Sequence, residues 1–410
     1  MLTFLLLPLE LRLAVYETFL AQHQSVHQSQ QPSNEHIRVL RTCTQIYHEA
    51  SPIFARYISL LHERQIHAFL ACPGVIQPSQ VLWADVANDG RLLHTDKNSY
   101  PLSQLYLAMR MLSSLQHLRV FDCRQGLPIS LHCEYLSCLH CCSLQYVFYA
   151  AMRSKQISLQ FEQAMFAESS GRPSLYSYEL FLNPHTRSKP FSMVASQSLR
   201  CLRLSGECHI SADVKAMPHL RRLVLYGVTS NYFDRNNLQD CFFGAELTEF
   251  SYAVGAKNGF LIRDHHIRSL ASGIGRNLRK LVLLGCSRLT SVALAECLGA
   301  LSNLEYFALS MITVDELDVN FLALLPRTVS TLKFSITNAG YTMPFIAQER
   351  AICNTLEDDV FNRVPRLLRI AVDFRPLLMD EEGRRERWET ILRHRRTPLY
   401  IGNWMQREDV

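Results

Sequence analysis

The chain has 410 residues, of which 48% are apolar and 19% charged, with 42 Lys and Arg against 37 Asp and Glu for a formal net charge of +5. A balance that mild excludes the concentrated basicity of a dedicated nucleic-acid binder, and no stretch approaches the ~18 consecutive apolar residues of a membrane span. Thirteen cysteines without regular spacing argue against a disulfide framework and for a reducing compartment, cytosol or nucleus. Met1–Leu7 is mostly apolar but lacks a basic n-region and runs into Pro8, so it is not read as a signal peptide.

Leu7-Pro8-Leu9-Glu10-Leu11-Arg12 opens the first expected helix. Pro8 suits a first helical turn, where its missing N–H leaves no bond unmade. Leu9, Leu13, Tyr16 and Leu20 recur along one face, and Leu11, Val15 and Phe19 along another. Two apolar faces are more than one small core needs. Gln22–Glu35, rich in Gln, His and Ser, reads as a solvated loop. A second helix is expected from about Ile37, carrying Leu40, Ile46, Tyr47 and Ala50, and a third from Pro52. Residues 1–72 thus predict three short helices around one small core.

From residue 73 to 379 a pattern takes over, Leu-x-x-Leu-x-Leu. Strict copies are Leu199/Leu202/Leu204, Leu220/Leu223/Leu225 and Leu278/Leu281/Leu283, and looser ones start at Leu115, Leu144, Leu175, Leu247, Leu304, Val329 and Leu367. Successive starts lie 21 to 38 residues apart, the period of leucine-rich repeats, in which each unit supplies one strand and then a helix or looser return. The best unit, Leu278–Cys286, leads into a helix with Leu294, Leu298 and Leu301 on one face. Ala167–Pro190 and the region around Asn338–Pro344 read as surface excursions. The expected fold class is an α/β solenoid, a leucine-rich-repeat horseshoe preceded by the small three-helix domain. After Asp380 the composition turns charged, with Asp380-Glu381-Glu382, Arg384, Arg385, Arg387 and His394-Arg395-Arg396 around Trp388. Residues 380–410 predict a charged helix that caps the last repeat or trails from it.

The N-terminal segment resembles an F-box: Leu7-Pro8-x-Glu10-Leu11 is similar to its opening, and Val39-Leu40-Arg41-Thr42-Cys43-x-Gln45-Ile46-Tyr47-x-Glu49-Ala50 to its second half in the fungal form. The Gln/His loop is longer than usual, and Ile46-Tyr47 stands where a tryptophan is often found. The repeats resemble the cysteine-containing leucine-rich class. Together they resemble F-box/leucine-rich-repeat proteins. That resemblance implies a substrate receptor of a Skp–cullin–F-box ubiquitin ligase, gripping the Skp adaptor through Leu7, Pro8, Leu11, Val15 and Ile46 and, through it, a cullin. The alternative is a repeat scaffold without a ligase role, whose N-terminal helices merely cap the array.

Side chains alternate along a strand, so the third and fifth positions of each repeat point away from the leucine core, along the expected concave side. These positions carry Arg119, Arg203, Arg222, Lys280, Lys333 and Arg369, but only two acids, Glu179 and Glu249. With Tyr146, Phe148 and Tyr306 they form an expected target-binding ridge suited to an acidic or phosphorylated peptide. His132-Cys133, Cys138, His140 and Cys141-Cys142 have zinc donor types but no standard finger spacing. Asp264-His265-His266 has no nucleophile or oxyanion pocket beside it, and Asp358-Asp359 reads as a surface acid run. No phosphate loop, zincin or nucleophile-elbow motif occurs in a usable context. The expectation is no catalytic residue, no metal and no cofactor.

Overall fold

The spaced leucines become the core because they alternate with polar residues over a strand-length window, which turns every second side chain to one face. In the computed structural model the described residues are 4–25, 32–72, 76–88, 103–122, 161–166, 171, 173–184, 186–211, 216–229, 232–255, 259–313, 317–339, 345–363 and 367–405. The backbone groups into two compact units, residues 1–199 with 208–211, and residues 200–207 with 212–410.

In the first unit, helices α1 (Leu9–Gln24) and α2 (Thr44–Phe54) precede strand β1 (Tyr57–Leu60). Helix α3 (Glu63–Ala71), β2 (Trp83–Asn88), α4 (Leu105–Met111), β3 (His117–Asp122), a short α5 (Phe161–Met165), β4 (Ser177–Phe181) and a two-residue β5 (Arg187–Ser188) follow. Strands β1 to β4 pair in parallel, each with the next. Three features differ from the expectation for residues 1–72. Glu35–Arg41 is a 3-10 turn, and Pro52 lies inside α2 rather than opening a helix. A proline there costs about 3 kcal/mol, which the burial of Ala50, Ile53 and Phe54 around it offsets. The strand β1 is a third departure, since Tyr57-Ile58-Ser59-Leu60 does not fit the leucine template.

The second unit runs β6 (Cys201–Cys208), β7 (Arg222–Val228), α6 (Leu238–Cys241), β8 (Glu249–Ala253), α7 (Asp264–Ser272), β9 (Lys280–Cys286) and α8 (Ser291–Ala300). It continues with β10 (Tyr306–Thr313), β11 (Thr331–Asn338), α9 (Ile346–Thr355), the brief α10 (Phe361–Arg363), β12 (Arg369–Asp373), α11 (Pro376–Asp380), α12 (Arg384–His394) and β13 (Leu399–Ile401). These strands also pair in parallel in chain order. The class is therefore α/β, with parallel strands and intervening helices.

Register aligns the template. Leu202, Leu223, Phe250, Leu281, Phe307, Leu332 and Ile370 face one another across the strands, and Leu204, Leu225, Tyr252, Leu283, Leu309, Phe334 and Val372 form the next row. All fourteen are buried. The leading positions Leu220, Leu247, Leu278, Leu304 and Val329 are fully buried just before their strands, and Leu367 before β12 is buried as well. Between strands the helices lock to one another: Asp264 accepts from Thr290 N–H and Oγ at 2.9 and 2.8 Å, and Thr290 in turn caps α8 by accepting from Ala293 N–H.

The charged C-terminal segment forms a further strand-and-helix step. Trp388 on α12 is fully buried against Phe361 and Phe374, and its indole N–H donates to Glu357 at 2.9 Å. Arg387 also pairs with Glu357, Arg375 with the buried Glu349, and Arg384 donates to Asn354. Arg384 and Arg387 of the charged run dock this helix, while Asp380, Glu382, Arg393, Arg395 and Arg396 stay exposed; β13 then adds to the edge of β12.

Candidate partner-binding faces

Helix α1 divides its two apolar stripes between core and solvent. Tyr16 and Leu20 are buried with Ala50, Ile53, Phe54 and Tyr57, and Leu13 packs against the same cluster. The other stripe stays open: Leu11 is 54% and Val15 47% exposed, with Phe19, Leu9, Leu5, Leu6 and Tyr47 of α2 also exposed. Of the residues expected to grip an adaptor, Pro8 is exposed, Leu7 half-buried, and Ile46 turned inward against the helical core. The structure thus presents Leu11 and Val15 to solvent and spends Ile46 on folding.

The geometry of α1 is set by Arg12. Its guanidinium reaches Glu49 of α2 through Nε and Nη2 at 2.9 and 2.6 Å, and donates backward to the carbonyls of Leu5 and Leu7. Tyr16 and Gln45 also donate to Glu49. Four donated bonds, led by those from Arg12, lower the Glu49 carboxyl to about 2. This clamp fixes the turn before α1, and with it the placement of Leu5 and Leu6.

Arg119 is not available to a target. Its guanidinium holds Asp85 in a two-bond fork at 2.7 Å each, and Nη1 donates to the carbonyl of Gln24 at the end of α1. Tyr57 donates to the same Asp85 at 2.7 Å, and Trp83 stacks on His117 beneath the guanidinium. Arg119 is 4% exposed and Asp85 fully buried. Burial first, then the Asp85 charge, push the Tyr57 hydroxyl well up from its ordinary value. The expected ridge therefore loses its first member, because β2 places an acid opposite Arg119 that the leucine template does not reveal. Ser59 of β1 is likewise covered, bonded by both ends of the Asn34 amide.

In the second unit the ridge positions do line one face, in the order Arg222, Glu249, Lys280, Tyr306, Thr331, Arg369 along one row and Arg203, Val224, Ser251, Val282, Ala308, Lys333, Ala371 along the next. Arg222 pairs with Glu249 at 3.6 Å. Arg203 is mostly buried with its guanidinium over Tyr226. Lys280 and Lys333 bring their ammonium groups to 5.1 and 5.4 Å from the Tyr306 ring. Arg369 is exposed. The structure gathers Lys280, Tyr306 and Lys333 into one cluster, and Lys333, 7% exposed, is covered by Trp404. No sequence signal pointed to Trp404, an isolated tryptophan in a short tail.

Tyr146 and Phe148, together with the cysteine- and histidine-rich stretch at 132–142, lie outside the described residues. Among the described residues no group of three or more potential metal ligands comes together, and no helix is long and apolar enough to cross a membrane. His266 is buried for structure: its Nδ1 accepts from Arg263 N–H and its Nε2 meets the carbonyl of Phe233 at 2.9 Å. Asp358 and Asp359 are exposed, while Glu357 before them anchors α12. The thiols of Cys241, Cys297 and Cys353 are pushed up to about 12 by burial, so they serve as small core hydrophobes. Neither the family models nor the curated proteins searched match this chain.

Proposed function

We propose that the chain is the substrate-recognition subunit of a Skp–cullin–F-box type ubiquitin ligase in cytosol or nucleus, an F-box-like helical segment followed by a leucine-rich-repeat horseshoe. The single observation that carries this reading is the open stripe of α1. Leu11 and Val15 occupy a second apolar face that the helical core does not use, and such a face is stable in solution only at a cost that a partner removes. The adaptor would bury it. The target would meet the face around Lys280, Tyr306 and Arg369, whose charge suits an acidic or phosphorylated peptide. Ubiquitin transfer would belong to the partner subunits, and this chain would act by bringing target and ligase together.

Capture by the purified Skp adaptor tests the reading. Wild-type chain is expected to be retained, and Leu11→Asp with Val15→Asp to abolish retention while leaving the thermal midpoint unchanged, since both positions already face water. Failure of the wild type to bind would favour the second reading, a repeat scaffold with a helical cap. One observation speaks for that cap role: Tyr57 and Trp83 of β1 and β2 share the cluster of α1 and α2. The cap uses the Tyr16–Leu20 stripe, so the two roles draw on different sides of the helix.

A further inference from the structure

Beyond β13 the chain turns back over the sheet. Gly402 sits at φ +135°, which side-chain-bearing residues rarely adopt, and its N–H donates to the Val372 carbonyl at 2.8 Å. The next residues bring Trp404 into one buried cluster with Val282, Ala308 and Ala371, flanked by Leu284, Tyr306, Tyr400 and Met405. Its indole N–H donates to the carbonyl of Phe334 at 3.0 Å, and the ring lies 5.9 Å from the Lys333 ammonium.

This cluster lies on the face opposite the leucine rows, at the positions sequence reading assigned to a target. Four neighbouring strands, β9 to β12, carry Val282, Ala308, Lys333 and Ala371 there in register. The small side chains of Val282, Ala308 and Ala371 make room for the Trp404 ring, while Lys333, within the row, and Lys280, one row away, bring positive charge beside it. We propose that this space is a seat for an extended peptide carrying an aromatic side chain, with acidic residues flanking it, and that Gly402–Met405 is its occupant in cis. A target segment of that kind replaces Trp404 and releases the tail about Gly402. The inference rests on the reading that this face receives the target, but not on adaptor binding.

The test uses the full chain and, as probe, a labelled peptide copying Gly402–Val410. Trp404→Ala opens the seat, so that variant is expected to bind the peptide at least tenfold more tightly than wild type. Ala308→Arg added to Trp404→Ala fills the seat and is expected to abolish the gain. Equal binding by wild type and Trp404→Ala, or none by the variant, overturns the proposal. Amide exchange of the wild-type chain guards against a variant that fails to fold. Gly402–Met405 is expected to exchange faster than β11 and β12 by local opening; exchange only together with those strands overturns the proposal as well. Peptide binding without adaptor capture would leave the seat standing and remove the ligase reading.

Discussion

His36 shows how a single side chain ties the N-terminal helices to acidity. It is fully buried, with Nε2 at 3.3 Å from the Phe54 carbonyl and the His23 ring 4.8 Å away. Burial first, and then the neighbouring His23, lower it from its ordinary 6.5 to about 4. The folded chain keeps this imidazole neutral where the unfolded chain takes up a proton, so its contribution is complete above pH 6.5 and is lost as pH falls towards 4. Glu49, lowered from 4.5 to about 2, acts below that: its contribution holds above 4.5 and is lost as pH falls to 2. Thermal midpoints measured from pH 7.5 to 3 are expected to decline in two stages, and His36→Gln to remove the upper one. A midpoint flat from pH 7 to 5 would contradict this. Arg119 offers a second residue-scale expectation. Arg119→Leu strands the Asp85 carboxylate in the interior and is expected to cost on the order of 3–5 kcal/mol in urea unfolding. Replacing Asp85 and Arg119 together by leucine should cost less than the single change, because no unpaired charge remains.

At the level of elements, the contrast is between two leucines on amphipathic segments. Leu281 of β9 sits in the middle of the in-register row, fully buried between Phe250 and Phe307. Leu281→Ala is expected to cost about 2–5 kcal/mol, read as a shift of the urea midpoint. Leu11 of α1 lies on the open stripe, and its replacement by Ala should leave that midpoint within error while weakening adaptor capture. Strand and helix also differ in how far sequence exposes them. The template strands were legible because leucine at every second position leaves little choice of face. Strands β1 and β2 were not, since Tyr57-Ile58-Ser59-Leu60 and Trp83-Ala84-Asp85-Val86 alternate without leucine at the expected places. Their hidden acid, Asp85, is what withdrew Arg119 from the surface. The two stripes of α1 were visible from spacing, but which one the core would take was not.

Across the whole molecule, local pattern and long-range pairing made separate contributions. The sequence by itself determined the class, because apolar residues of period two within units of about 28 residues allow only short strands with returns between them. It also determined the core: nearly every leading and inward position of the template in the second unit is buried. Only the tertiary structure decided which outward residues remain outward. Arg119 is held by Asp85, 34 residues earlier, and Lys333 is roofed by Trp404, which reaches back 70 residues to Phe334. Side-chain direction follows from the dihedral angles of the residue itself and so is written locally. Exposure depends on what distant segments lay over that side chain, and no spacing rule carries that information.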